Sequence, residues 1–292
     1  MPSLKEVKTR IGSVKNTRKI TNAMKMVASS KLHHAQKDIN GLRPYGERLA
    51  SIMARFLKVC EGEVETPYAE AREVKKVTLV VISSNSSLCG AFNANVIKEF
   101  QKTSAQYIRN GVKVEVWPIG KKIAKAVQKA GFVYDADMSG VLEHPGFDNA
   151  VKIAEKLMTR FVDGETDMVE IISQHFASTS KQEIRKQKYL PINLDASSSE
   201  PESSQGCRQT DYIVEPSIPG IISSLIPASL HMQMFSSILD SIAAEHAARV
   251  VAMQIATDNA DNLIEELTLT YNKTRQQAIT SELLDMASGS FQ

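Results

Sequence analysis

ASLHMQMFSSILDSIAAEHAARVVAMQIATDNADNLIEELTLTYNKTRQQAITSELLDMAS, residues Ala228 to Ser288, runs for 61 residues without a glycine or a proline. So long a stretch without a helix breaker predicts one continuous helix, with Pro227 just ahead of it where a first-turn proline is tolerated. At 1.5 Å per residue that helix is roughly 90 Å long, several times the length of an ordinary globular helix. Val250, Met253, Ala260, Ile264, Leu267 and Tyr271 follow heptad spacing, and Ile279, Leu283 and Met286 continue an apolar face. A globular core cannot cover such a rod, so its principal partner has to be another long helix, with its end projecting.

The start of the chain supplies that partner. Leu4, Val7, Ile11 and Val14, then Leu32, Ala35, Ile39 and Leu42, keep the three-four spacing of a coiled-coil seam over a helix of about 50 residues. Between these blocks the apolar register breaks: its heptad positions hold Arg18, Thr21 and Lys25. Ile20, Ala23, Met24, Val27 and Ala28 form a second stripe rotated around the helix. Two apolar faces call for two partners, one inside the chain and one outside it. Charge divides the same way. Residues 1–58 carry thirteen Lys and Arg against three acidic residues, whereas 228–288 carry three basic against eight acidic, beneath a net charge of only +2. A basic nucleic-acid-binding helix is the alternative for the N-terminus. It is disfavoured because no aromatic occurs in the first 44 residues and the cations surround the helix instead of lining one side.

The middle of the chain alternates strand and helix: Lys76 to Ser83, Lys113 to Trp117, Phe132 to Ala136 and Met168 to His175 as strands, Asn93 to Arg109, Lys121 to Ala130 and Asp148 to Phe161 as helices. That order predicts a Rossmann-like α/β domain with a mostly parallel sheet, and Gln182 to Leu190 adds an edge strand. The expected division is an N-terminal coiled-coil helix over 1–60, an α/β domain over 74–194, a mobile loop over 195–209 and a C-terminal coiled-coil helix over 210–292. Residues Asp195 to Gln209 are nearly devoid of apolar side chains. No apolar run approaches the roughly 18 residues needed to cross a bilayer. The opening Met1-Pro2-Ser3-Leu4-Lys5 lacks the apolar segment of a secretory signal, so no targeting piece is expected. Cys60, Cys89 and Cys207 lack metal-type spacing and are expected as free thiols.

Catalytic chemistry is hard to place on these residues. The turn Ser83-Ser84-Asn85-Ser86-Ser87-Leu88-Cys89-Gly90 lies where α/β proteins often hold phosphate. It has one glycine where a dinucleotide fingerprint has three. Gly120-Lys121 is no Walker motif either, because Glu115 stands at the position of its first glycine. His33 and His34 diverge by about 100° around a helix, Cys89 has no nearby histidine, and Glu245-His246 lacks a second histidine. No metal, no cofactor and no catalytic residue is expected; a nucleotide-binding enzyme built on the central sheet remains the competing class.

Ile11-Gly12-Ser13-Val14-Lys15-Asn16-Thr17-Arg18-Lys19-Ile20-Thr21-Asn22-Ala23-Met24-Lys25-Met26-Val27-Ala28 closely resembles the N-terminal signature of the gamma subunits of rotary F-type ATP synthases. Ala247 to Met253, Ala256 to Ala260, Tyr271 to Gln276 and Ile279 to Leu283 resemble the C-terminal signature of that family, and Leu88-Cys89-Gly90 with Asn93 its pattern after the first strand. Asn85-Ser86-Ser87 stands where family members commonly have Asp-Arg-Gly, and the tail Ser288-Gly289-Ser290-Phe291-Gln292 is less small and apolar than usual. The resemblance implies an antiparallel left-handed coiled coil that enters a hexamer of alternating alpha and beta subunits. It further implies a lower domain that grips the c-ring with the epsilon subunit, and a rotor shaft passing torque between proton-driven ring and catalytic sites. By the same similarity Arg275 and Gln276 meet a loop of the beta subunit, Arg249, Thr280 and Glu282 belong to coupling, and Met24 and Lys25 lie near them. Stabilisation of the coiled coil stays open as the alternative role for each. The implied location is the cytoplasmic face of a bacterial cell membrane, peripheral and non-catalytic.

Overall fold

The computed structural model describes residues 3–59, 66–70, 72–134, 138–179, 181–192 and 218–289. Its elements are α1 (Leu4–Val59), β1 (Lys76–Ile82), α2 (Phe92–Arg109), β2 (Lys113–Ile119), α3 (Lys121–Lys129), a 3-10 turn (Ser139–Leu142), α4 (Phe147–Val162), β3 (Met168–Phe176), β4 (Gln182–Leu190) and α5 (Ile218–Gly289). The expected loop over 195–209 lies outside the described residues. Two compact units emerge, Met1–Ser30 with Arg249–Gln292, and Lys31–Ala248.

The first unit is a helix pair. Val7, Thr21 and Ala28 of α1 are buried, as are Met253 and Ala260 of α5. Between them Leu4, Ile11 and Val14 face Val250, Thr257, Ile264, Leu267, Tyr271 and Thr274 as half-buried positions on the same three-four spacing. Arg18 Nη1 donates to Asp261 Oδ1 at 2.6 Å, the Thr21 and Thr257 hydroxyls meet at 2.9 Å, and Lys25 Nζ donates to Gln254 Oε1 at 2.9 Å. Each step up α1 is a step down α5, so the helices run antiparallel. The expected break in the register is therefore corrected: the seam continues through Arg18, Thr21 and Lys25 and changes chemistry, because these side chains find polar partners at the same level of α5. Ala28 belongs to this seam, while Ile20, Met26 and Val27 are about 60% exposed on the opposite side.

The second unit is a four-stranded sheet in the order β2-β1-β3-β4. β1 pairs in parallel with β2, Lys76 opposite Lys113 through Ile82 opposite Ile119, and in parallel with β3, Val77 opposite Met168. β4 closes the far edge antiparallel to β3. β1, the sequence KVTLVVI, is buried at every residue after Lys76, as a parallel strand covered on both faces requires. Val77, Leu79 and Val81 face Val96 and Phe100 of α2 and Ile123 and Val127 of α3. Val80 and Ile82 face Ile153, Leu157 and Phe161 of α4 together with Ile222, Ile226, Leu230, Ile238 and Ile242 of α5. The Tyr189 hydroxyl donates to the Leu230 carbonyl at 3.0 Å, and burial drives its ionisation well above the usual phenol range. Asp240 of α5 accepts the Phe176 N–H at 3.0 Å and meets His175 Nδ1 at 2.5 Å, which fixes the end of β3 to the helix.

Two boundaries differ from expectation for physical reasons. Phe132–Tyr134 form no strand, and 135–137 lie outside the described residues. Phe132 instead sets its ring edge-on to Phe100 at 5.8 Å, while Val133 is 84% exposed, so β2 remains an edge. Pro118 fits there: the Lys113 N–H points to Lys75 of the β1 side, and alternation turns residue 118 outward, where a missing N–H breaks no ladder. Helix α5 begins at Ile218, which makes Pro227 an interior proline, not a first-turn one. An interior proline costs about 3 kcal/mol. Ile222, Ile226 and Leu230 around it are at most 1% exposed, and burying three such side chains contributes about 1.5–3 kcal/mol each. By length and composition α5 could also cross a membrane, but its apolar N-terminal half is the lid of this core.

On the β2 edge, Arg160 of α4 holds both carboxylate oxygens of Glu115, Nη2 to Oε2 at 2.8 Å, and its Nε reaches Glu165 at 2.7 Å. Burial pushes the Glu115 carboxyl up, but the bonds from Arg160 and from the Trp117 indole at 2.9 Å outweigh it and hold the group below its ordinary value. A carboxylate depressed in the folded state contributes stability above its unfolded pKa, and loses it as pH falls through the folded value. Glu115→Gln is expected to lower the urea midpoint at pH 7, with the gap to wild type narrowing below about pH 4. A gap that stays constant down to pH 3 would remove Glu115 from the acid response.

Candidate functional site

Ligands of doubly wound sheets bind beyond the carboxyl ends of the strands, where the strand order reverses. Here that point lies between β1 and β3, and the chain itself fills it. The first N–H groups of α3 are all taken: Lys121 donates to Asn85 Oδ1 at 3.1 Å, Lys122 to the Ser84 carbonyl at 3.1 Å, Ile123 to Ser83 Oγ at 3.0 Å and Ala124 to the Gly120 carbonyl at 3.1 Å. At the mouth of α2, Asn93 accepts the Ser84 N–H at 3.1 Å and donates to Cys89 Sγ at 3.1 Å. Gln174 of β3 donates to the Phe92 carbonyl at 2.7 Å. Ala244 and Ala248 of α5 pack with Cys89 and Phe92 over the opening, with Phe176 against them. The α3 donors that would cradle a phosphate are spent on oxygens of Asn85, Ser84, Ser83 and Gly120. This argues against the nucleotide-binding class on geometry. Among the described residues no group of three His, Cys, Asp or Glu is arranged to hold a metal. The turn ends on Leu88, 59% exposed at φ +67°, a conformation that Cβ disfavours.

The surface residues singled out by sequence fall at two levels of the helix pair. Lys25 is half-buried and bound to Gln254, Met24 is half-buried beside it, and Arg249 is 9% exposed. Arg275, Gln276, Thr280 and Glu282 lie roughly 39 Å farther along α5, measured from Arg249 at 1.5 Å per residue, and all four are exposed. Met24 and Lys25 therefore do not lie near Arg275 and Gln276, because α1 begins at Leu4 and its twenty-fifth residue is level with residue 254. Only Arg249 shares their level. On the distal stretch, Arg275, Ile279 and Glu282 share one helix face and Gln276, Thr280 and Leu283 the next; the Thr280 hydroxyl donates to the Gln276 carbonyl at 2.9 Å. Every described side chain from Arg275 to Met286 is exposed, including Leu283 at 60%, Leu284 at 64% and Met286 at 73%. This is a helix end with apolar surface on more than one side and no covering from the described residues.

The sequence model of a family described as ATP synthase matches residues 3–291. Proteins named ATP synthase gamma chain from Phocaeicola vulgatus and Bacteroides fragilis are 49% and 51% identical over 291 residues, covering 99% of this chain and 99% of theirs. The chain belongs to the ATP synthase gamma chain family. Its fold is shared with the rotor of the Euglena gracilis mitochondrial ATP synthase, at a TM-score of 0.62 and 19% identity over 94% of this chain and 98% of that one. A central-stalk chain of the Tetrahymena thermophila enzyme gives 0.58 and 22% over 81% and 99%.

Sequence reasoning missed the polar seam of this gamma-family chain, Arg18–Asp261 and Thr21–Thr257 included. The signal was present in the opposite charges of the two ends, which place a cation of α1 against an anion of α5. It also missed the closed crevice, whose tightest point is Gly120. At φ +114°, a Cβ there would stand 2.7 Å from the Ser83 carbonyl oxygen. Gly120→Ala is expected to cost about 3 kcal/mol or more, whereas Gly12→Ala, with nothing within 4 Å, should be neutral or stabilising by about 0.5–1 kcal/mol. Urea unfolding of both variants checks this, and equal stabilities would mean that the crevice is not tightly closed.

Proposed function

We propose that this chain is the central shaft of an F-type ATP synthase, passing torque between a proton-driven c-ring and the catalytic sites of an alpha/beta hexamer. The reading rests on family membership and on one observation above all: α5 continues past its last seam residue, Thr274, with both polar and apolar side chains bare. An exposed apolar helix end of this kind marks a protein interaction site. In the proposed assembly the free end turns inside the ring of alpha and beta subunits, and the sheet unit joins the epsilon subunit and the c-ring. The chain is non-catalytic and peripheral, on the cytoplasmic face of a bacterial cell membrane.

Coupling then follows from differential contact. A rotating surface shifts a subunit's equilibrium only if one conformer binds it better than another. Arg275 offers a planar fork of five donors and Gln276 a donor and an acceptor, adjacent and without side-chain partners among the described residues. Together they suit a carboxylate-bearing loop of the beta subunit, held at one shaft angle and released at the next. Charge-assisted bonds of about 1.5–3 kcal/mol are strong enough to bias a loop and weak enough to break. Thr280 and Glu282 extend the same contact, and Met24, Lys25 and Arg249 form a second level of it.

Arg275→Ala with Gln276→Ala should leave the helix folded, since alanine is the better helix former. The complex is expected to assemble while losing ATP turnover and ATP-driven proton transport; normal assembly with both activities at wild-type level would exclude these residues as the coupling contact. The purified chain alone is expected to release no phosphate from ATP. Turnover that vanished on mutating one of its residues would overturn the non-catalytic assignment.

A further inference from the structure

Helix α1 gathers its breakers in one place. Gly41, Pro44 and Gly46 fall within six residues, and the rest of α1 has a single further glycine, Gly12, and no other proline. Pro44 has no N–H, so the Asn40 carbonyl loses its helical partner. The folded backbone calls for neither glycine. Both lie outside the left-handed region; a Cβ at Gly41 would have nothing within 4 Å, and at Gly46 the nearest atom would be Met232 Cγ at 3.9 Å. What they add is backbone freedom. The span is also loosely anchored: Ala35 and Leu49 are buried, and between them no residue of α1 is.

A cleft of about 630 Å³ lies under this span. Ile39 and Leu42 of α1 line one wall, and Phe176 of β3 with Met232 and Leu239 of α5 line the other. Of the two carboxylates in the lining, Asp240 is satisfied by His175 and the Phe176 N–H. The other, Glu47 of α1, has no ion pair among the described residues, and neither have the two arginines of the lining, Arg43 of α1 and Arg185 of β4. Glu183, two residues before Arg185, is held by Lys181 at 2.5 Å. Across the cleft, therefore, an unpaired anion on the breaker-rich helix faces an unpaired cation on the sheet.

We propose that residues 36–48 of α1 are a strap with two positions: the open one of this structure, and a closed one in which the helix bows inward at Gly41–Gly46 between its anchors and Glu47 pairs with Arg185. Closing takes the water-facing sides of Ile39 and Leu42 out of solvent, which favours it, and the bend opposes it. Pairing of Glu47 with Arg43 on its own helix is the competing arrangement, and it has the less favourable order of charges. The strap uses only this unit's own residues, so it is independent of the shaft assignment.

In the full-length chain, Arg185→Lys supplies an amine that a zero-length carbodiimide joins to a carboxylate in contact with it. A link between positions 47 and 185 is expected, read by tandem mass spectrometry against the local link from Glu183 to position 185, and Glu47→Gln should remove it. Gly41→Ala with Gly46→Ala, and separately Pro44→Ala, should each lower the yield at least threefold by stiffening the helix, with the urea midpoint unchanged or raised. Gly12→Ala should change the yield less than twofold. Absence of the link between 47 and 185 would overturn the proposal. So would a yield that ignores both stiffened variants, because side chains swinging over a rigid helix would then account for it, or a fall in the urea midpoint of both, because the breakers would then serve packing.

Discussion

A helix of 72 residues is not held in place by its own backbone hydrogen bonds, because most helical stability in proteins comes from the packing of apolar faces. The way α5 disposes of its apolar surface therefore governs everything else here. From Ile222 to Ala248 nearly every side chain is buried or half-buried, and the helix acts as a core element of an α/β sheet. From Val250 to Thr274 only one face is covered, by α1. Beyond Thr274 nothing in the described chain covers it. The three regimes follow one another on a single helix as the number of available partners falls from several elements to one to none.

The antiparallel pair depends on side chains that are poor coiled-coil formers by themselves. Thr21 against Thr257 and Lys25 against Gln254 contribute less than leucine would, since polar groups at seam positions lower stability while fixing register. Arg18 and Asp261 are each nearly half exposed, and an ion pair in that setting contributes about 0–1 kcal/mol. The seam is thus specific in its alignment and modest in its strength. That combination suits a shaft whose remaining surface has to be available to other subunits.

Most of the architecture could be read from periodicity: both long helices, most of the alternating strands, and Gln182–Leu190 as an edge strand, though not its antiparallel direction. What escaped has a common physical cause. Pattern reading scores apolar side chains, so it registered Arg18, Thr21 and Lys25 as an interruption when they were the continuation. It counted Phe132–Ala136 as a strand because Phe, Val and Tyr favour strands, although Phe132 gains more by closing the core beneath α2. It placed a helix start at Pro227 because local propensity cannot see that Ile222 and Ile226 upstream are wholly buried. The candidate contact residues were legible only through resemblance. Exposed side chains on a bare helix leave no trace in periodicity, and sequence similarity, which has no axial coordinate, did not separate the level of Met24, Lys25 and Arg249 from that of Arg275 and Gln276.

Ala243, Ala244, Ala247 and Ala248 form a run of buried methyl groups where α5 crosses the mouth of the sheet. A methyl has no rotamers to exchange, and a close-packed interior has few voids to yield into. Load applied to the helix at this point cannot be relaxed by side chains hopping between wells; it has to be borne by backbone torsion. The alanine run is accordingly a close-packed, rotamer-free stretch of α5, whereas polar pairs farther along, such as Arg18 with Asp261, keep nearly half of each side chain in water.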